Sequence, residues 1–205
     1  MVTLLLVRHA RTATTGERLG GWTPGVDLDG EGRGQAEALA ARLSDLDVAA
    51  VYASPLERTQ QTAQYIADRH GLRVRTRRGI GEVDYGDWTT RTLKELRRRK
   101  LWKVVQATPS QVTFPGGESI RGAQLRAVDA VEAIAREHRD ELVVAVSHAD
   151  IIKAVVAFHL GMPLDTFQRL VVGPASVTTL VLGEGAPPIV VAVNTASPAG
   201  LAGPA

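Results

Sequence analysis

Three stretches of the chain are apolar without alternation: Leu4-Leu5-Leu6-Val7, Ala49-Ala50-Val51-Tyr52-Ala53 and Leu142-Val143-Val144-Ala145-Val146. Short unbroken runs of this kind suit strands buried on both faces, as in a parallel sheet covered by helices. Between them the period changes. Asp29 stands as an N-cap before Gly30-Glu31, and Ala36, Leu39, Ala40 and Leu43 then recur on one helical face. Ser54-Pro55 opens a second helix on which Thr59, Thr62, Ala63 and Ile66 share a face. A helix is expected over Leu93 to Val105. Another is expected through Leu125, Val128 and Val131, all three facing the core, and a third, apolar almost all round, from Ile151 to Leu160. Leu72 to Thr76 reads as a short strand. Ser176 to Leu182 and Ile189 to Val193 read as a hairpin around Gly183-Glu184-Gly185. Strands alternating with helices predict an α/β fold: a three-layer α/β/α sandwich with a mostly parallel central sheet. One domain is expected over residues 1–194, with 195–205 a mobile C-terminal tail because that segment is small, Pro- and Gly-containing and patternless.

Composition narrows the picture. With 205 residues, 44% of them hydrophobic and 22% charged, the chain is long enough to bury a sizeable core. A net charge of +2 is too slight to argue for nucleic acid. The basic run Arg97-Arg98-Arg99-Lys100 reads as a solvated helix face. There is no cysteine, which excludes disulfides, thiolate metal sites and a cysteine nucleophile. The first apolar run is too short for a secretory leader, and no apolar stretch is long enough to span a bilayer. A cytoplasmic protein is therefore expected, with neither nucleic acid nor membrane as partner. A homodimer is left open.

The chemistry lies where the strands end. The first run passes directly into Arg8-His9, and the third into Ser147-His148-Ala149-Asp150. In open α/β sheets, ligands bind beyond the carboxyl ends of the strands. Arg58 falls in the first turn of the helix after the second run, a natural place to hold an anion. Two histidines and two guanidinium groups at one sheet edge make a positive pocket, and a phosphoryl group matches the guanidinium fork. A histidine fixed at one ring nitrogen can attack phosphorus with the other. The leaving alkoxide then needs a proton, for which Glu82 and Asp84 are both candidates. No compact His/Asp spacing supports a metal hydrolase, and two arginines would repel the cation, so neither metal nor other cofactor is expected.

These residues carry a resemblance. Arg8-His9-Ala10-Arg11-Thr12 resembles the Arg-His-Gly motif of the histidine phosphatase superfamily, which includes the phosphoglycerate-mutase-like enzymes. The likeness extends in order through Leu28-Asp29, Gly32, Gln35-Ala36, Ala53 to Ala63, Glu82 with Tyr85-Gly86-Asp87-Trp88, Phe114 to Ser119 and Val146-Ser147-His148. It is similar in particular to an actinobacterial group that carries a phosphomutase label. The resemblance implies that His9 becomes phosphohistidine. It implies that Arg8, Arg58 and His148 bind the transferring phosphoryl group, and that Glu82, by its spacing from the aromatic-Gly step, is the acid. The family's motif glycine is Ala10 here, which adds a methyl near the pocket floor. The loop that often supplies an Asn is one residue shorter, leaving Thr14 or Thr15 to substitute. Gly21 and Ala149 are expected to offer backbone N–H groups.

Three functions compete on this reading. The first is a phosphatase acting on a small phosphomonoester. The second is a phosphomutase acting on a small phosphorylated acid or sugar. The third is a catalytically inert scaffold, disfavoured because each charge-bearing residue of the motif is present. The stretch from Glu82 to His148 is shorter than in the glycolytic mutases. A site less enclosed by chain admits water to the phosphohistidine, which favours hydrolysis.

Overall fold

The structure, a computed structural model, describes residues 1–196. Six strands form one sheet: β1 (Val2–Arg8), β2 (Val48–Ala53), β3 (Val74–Thr76), β4 (Leu142–Ser147), β5 (Val177–Leu182) and β6 (Ile189–Thr195). Their order is β3-β2-β4-β1-β5-β6. The first four run parallel; β5 pairs antiparallel with β1, and β6 pairs antiparallel with β5 as the expected hairpin. The three apolar runs of the sequence are thus interior strands, β2, β4 and β1, with both faces covered.

Helices cover both faces. On β1, Leu5 and Val7 pack in one core with Leu39 and Leu43 of α1 (Gly30–Leu43) and Ile66 of α2 (Glu57–His70). Leu4 and Leu6 point the other way, into a second core. There they join α5 (Ile120–Glu137) and α6 (Ala149–His159). The strand period of two thus sends alternate side chains of a wholly apolar run to opposite layers.

The structure departs from the sequence pattern in three places. The helix expected over Leu93 to Val105 is two, α3 (Leu93–Leu96) and α4 (Lys100–Ala107). Arg99 between them is extended, and Arg97 to Lys100 are all exposed. Leu96 and Val105 are both buried, and the break lets each half turn its own apolar residue inward. Leu125 is 50% exposed rather than in the core. The buried stripe of α5 runs through Ile120, Ala123, Gln124, Ala127, Val131 and Ile134. A residue one step beyond Gln124 is turned about 100° away from that stripe. Thr195, placed in the tail by its composition, ends β6 and donates its hydroxyl to the Val177 carbonyl at 3.1 Å. The rest of the expected tail, residues 197–205, lies outside the described residues. Among the described residues no helix is long and apolar enough to cross a membrane.

Helix α1 is seated against the loop that follows His9. The Arg11 carbonyl accepts from Asp29 N–H, and Asp29 in turn caps Gly32 N–H at 2.7 Å. A Cβ on Gly32 would lie 1.9 Å from that Arg11 carbonyl oxygen, whereas one on Gly34 would meet nothing within 4 Å. Gly32→Ala is therefore expected to lower stability by about 2 kcal/mol or more. Gly34→Ala, on the exposed side of the same helix, should raise stability by up to about 1 kcal/mol. Urea denaturation of the two variants reads the contrast, and equal effects would mean that close approach to Arg11 is not what selects glycine.

Candidate active site

The parallel register aligns the strand ends. Arg8 pairs with Ser147, and His9 N–H donates to the Ser147 carbonyl at 2.9 Å. On the other side of β4, Ser54 N–H donates to the Val146 carbonyl at 3.1 Å. His9, Ser54 and His148 therefore emerge side by side at the carboxyl end of three interior strands. Thr62 on α2 joins the next layer: its hydroxyl donates to the Arg58 carbonyl and accepts from Ala10 N–H. This bond ties the Arg58 turn to the chain just after His9.

The His9 ring is buried and its Nδ1 lies 2.7 Å from the Ala10 carbonyl oxygen. A carbonyl only accepts, so Nδ1 carries the proton and Nε2 keeps its lone pair. Burial first, then the Arg58 charge and that of Arg8, lower the His9 pKa from 6.5 to about 3. His148 is fully buried, its ring edge-on to His9 with centroids 5.2 Å apart. Its Nδ1 lies 3.4 Å from Arg58 Nη2, and Nε2 lies 2.8 Å from Ser54 Oγ. Because the guanidinium can only donate, Nδ1 accepts and Nε2 donates to the serine. Burial, followed by the Arg58 and His9 charges, holds this histidine well below its ordinary pKa as well.

The guanidinium groups are held at their edges. Arg58 donates from Nη2 to the Gly21 carbonyl at 2.9 Å, and Arg8 from Nη1 to the Val172 carbonyl at 2.7 Å. Among the described residues, Arg58 Nη1 and Arg8 Nε are buried donors without an acceptor. Both arginines and His9 line a cavity of about 420 Å³, shared with Thr12, Thr14, Thr15, Gly20 and Glu82.

Glu82 sits on a loop clamped from behind. Arg126 of α5 donates to the carbonyls of Gly79, Gly81 and Glu82, and the Trp22 indole N–H donates to the Glu82 carbonyl at 2.6 Å. The Glu82 carboxyl accepts from Val83 N–H, and its Oε2 lies 3.7 Å from His148 Nδ1. Burial, reinforced by the Asp150 charge and opposed by Arg58, raises its pKa from 4.5 to about 7. Asp84 points away: it is exposed and accepts from Gly86 N–H.

Arg8, His9, Arg58, His148 and Glu82 are thus brought together. Thr15 lines the cavity with its hydroxyl bound to Thr12 N–H at 2.9 Å, and Thr14 lines it too. Ala149, also on the wall, opens α6, so its N–H has no partner within the helix. Gly21 takes another part than the one expected of it. Gly20 faces the cavity, and Gly21, at φ +50°, turns its carbonyl to Arg58. The Ala10 methyl is absorbed into the core beneath α1 and α2 and does not crowd the floor.

Sequence reasoning missed a second group on the same wall: Tyr85, Asp150, Lys153 and Gln168. The Tyr85 hydroxyl donates to Asp150 Oδ2 at 3.0 Å, and Lys153 Nζ lies 3.1 Å from Asp150 Oδ1 and 3.2 Å from Gln168 Oε1. The three-residue spacing of Asp150 and Lys153 behind His148 was a readable signal. Gln168 carried none, since only the return of the chain after α6 brings it there.

The sequence profile of the Histidine phosphatase superfamily (branch 1) matches residues 4–195. Phosphoserine phosphatase 1 of Hydrogenobacter thermophilus is 32% identical over 188 residues, covering 90% of this chain and 88% of that one. Phosphoglycerate mutase-like protein 4 of Arabidopsis thaliana is 33% identical over 157 residues, covering 74% and 68%. The solved structure of Bacillus stearothermophilus YhfR superposes with a TM-score of 0.87 at 28% identity, covering 93% of this chain and 96% of that one.

The opposed shifts of His9 and Glu82 predict how stability depends on pH. Between about 3 and 6.5 the unfolded chain protonates His9 while the folded one does not, so stability rises with pH there. Between 4.5 and about 7 the folded chain keeps a proton on Glu82 that the unfolded one has released, so this group lowers stability as pH rises. Glu82→Gln removes that penalty and is expected to stabilise the fold at pH 8 by roughly 1–3 kcal/mol. The gain should vanish near pH 4. Thermal unfolding at the two pH values tests it, and a variant less stable than the parent at pH 8 would contradict a carboxyl whose pKa the fold raises.

Proposed function

The chain belongs to the histidine phosphatase superfamily, and from that premise we propose that it hydrolyses small phosphomonoesters through a phosphohistidine on His9. One observation carries this reading. Two buried guanidinium nitrogens without acceptors among the described residues, Arg8 Nε and Arg58 Nη1, line the same cavity as a histidine whose ring is hydrogen-bonded through Nδ1 and leaves Nε2 free. A phosphoryl group supplies the missing acceptors and places phosphorus before that nitrogen.

In the first step the Nε2 lone pair forms the N–P bond while the P–O bond to the alcohol breaks. The proton on Glu82 passes to the departing oxygen, so the alcohol leaves neutral. Arg8 and Arg58 hold the oxygens of the transferring group, where buried charge acts without screening by water. The negative phosphoryl group beside His148 favours a proton on its Nδ1, taken up from solvent as substrate binds, and that N–H then donates to the same oxygens. In the second step Glu82, now ionised, takes a proton from water. The resulting oxygen attacks phosphorus, the N–P bond breaks and inorganic phosphate departs. A pKa near 7 suits a carboxyl that must both give and take a proton.

The similarity to proteins named phosphoserine phosphatase and phosphoglycerate mutase-like supports a small, polar, acid-bearing substrate. Lys153 and Gln168 on the outer wall and Arg18 near the mouth suit such a tail. A mutase differs at the second step alone, by returning the phosphoryl group to the product.

Rapid mixing with radiolabelled substrate and an alkaline quench should trap an acid-labile phosphoryl group on the His9 peptide. His9→Ala should lose that label and lower turnover by more than about a thousandfold. A label on serine or aspartate, or full activity in His9→Ala, would end this reading. A label that returns to substrate-like product instead of water selects the mutase.

Glu82→Gln should slow hydrolysis of an alkyl phosphate by about 10²–10⁴-fold, and of p-nitrophenyl phosphate by no more than about tenfold, because nitrophenolate leaves without a proton. Equal losses on both would place the acid elsewhere. Both activities are expected to persist in excess chelator, the guanidinium groups supplying the positive charge.

A further inference from the structure

Asp150 lies in the wall of the catalytic cavity, in the first turn of α6, and the phosphoryl chemistry does not use it directly. Each of its carboxyl oxygens has a donor: the Tyr85 hydroxyl on Oδ2 and the Lys153 ammonium on Oδ1. Tyr85 is buried, and its hydroxyl is held well above its ordinary pKa by burial and by the Asp150 charge, so it keeps its proton to donate. Glu82, three residues before Tyr85 on the same loop, lacks any such pair of donors. One oxygen accepts from Val83 N–H, and the other faces a histidine nitrogen that itself accepts from Arg58. Two carboxyl groups share one cavity wall, and only one of them is built to be a full-time acceptor.

We propose that Asp150 is a positioning residue for the acid: locked as an acceptor by Tyr85 and Lys153, it makes Glu82 the carboxyl that holds the proton for the leaving oxygen. The inference rests on the reading of Glu82 as that acid. The groups facing Glu82 divide by sign. Arg58 from α2 and Arg8 from β1 draw the proton off, while Asp150 from α6 and burial keep it on. The neutral rings of His148 and His9 sit between them. Without Asp150 only burial opposes the two arginines. The acid would then be ionised at neutral pH, when an alkoxide arrives needing a proton.

The test is the ratio of kcat/KM on a simple alkyl phosphate without an acidic tail to kcat/KM on p-nitrophenyl phosphate, measured against pH. The ratio isolates proton donation, because phosphoryl binding and attack by His9 are common to both substrates. In the parent enzyme the ratio should fall as pH rises through about 7. In Asp150→Asn the midpoint should move down by roughly one pH unit. Lys153→Met leaves Asp150 in place and removes its counter-charge, so its midpoint should move up. Opposite displacements in the two variants are not expected of a merely structural disturbance. A midpoint that stays put in Asp150→Asn, or in Lys153→Met should the first variant fail to fold, overturns the proposal. Failure of the parent enzyme to label His9 from p-nitrophenyl phosphate overturns the underlying reading instead, so the two failures are distinguishable.

Discussion

At the end of the sheet Arg58 is buried and Arg8 half-buried, with more N–H donors turned from water than the described residues supply acceptors. Taking a cation out of water is costly unless it is paired and hydrogen-bonded. Here the pairing is partial: each arginine donates to one carbonyl, of Gly21 or of Val172, and keeps one buried donor without an acceptor. The electrostatics of the site follow from that imbalance. Arg58 contributes to lowering both histidines, and it is the chief force opposing the burial that raises Glu82.

The fold tolerates this arrangement because rigid elements hold it. Strand β1 is hydrogen-bonded on both sides, to β4 and β5, so the backbone beneath Arg8 and His9 has little freedom. Thr62 fastens α2 to the chain after His9, and the chain Ser54, Thr59 and the Leu56 carbonyl fixes the far nitrogen of His148. Arg126 holds the Glu82 loop through three carbonyls and is itself paired with Glu118 at 2.7 Å. Supports of this kind keep reacting groups in line without a rearrangement at the moment of reaction.

Glu82 and His9 illustrate how one dielectric environment sets two opposite protonation states. Burial disfavours charge in both, which leaves the imidazole neutral and basic in form and the carboxyl neutral and acidic in form. On the proposed mechanism a nucleophile and an acid are therefore both ready near neutral pH, although their ordinary pKa values would favour that combination only weakly.

Much of this was legible in the chain itself. Unbroken apolar runs marked β1, β2 and β4, because a strand covered on both faces has no polar side to show. Helical periodicity marked α1 and α2, and the polar residues where apolar runs stop marked Arg8, His9 and His148. Those signals are local, and local spacing is enough to carry them. Glu82 could be set above Asp84 only by resemblance, since both are carboxylates on one loop and burial alone separates them. What the chain could not show depends on residues distant in sequence. Leu125 is exposed because α5 is rotated to fit the sheet, and Gly21 turns its carbonyl inward because Arg58 arrives from another helix. Tyr85, Asp150 and Gln168 meet on one wall only when the segments that carry Tyr85 and Gln168 fold against α6. The sequence by itself thus determined which groups could do the chemistry. Tertiary packing decided their protonation, because burial and the nearness of other charges exist only once the chain has closed around them.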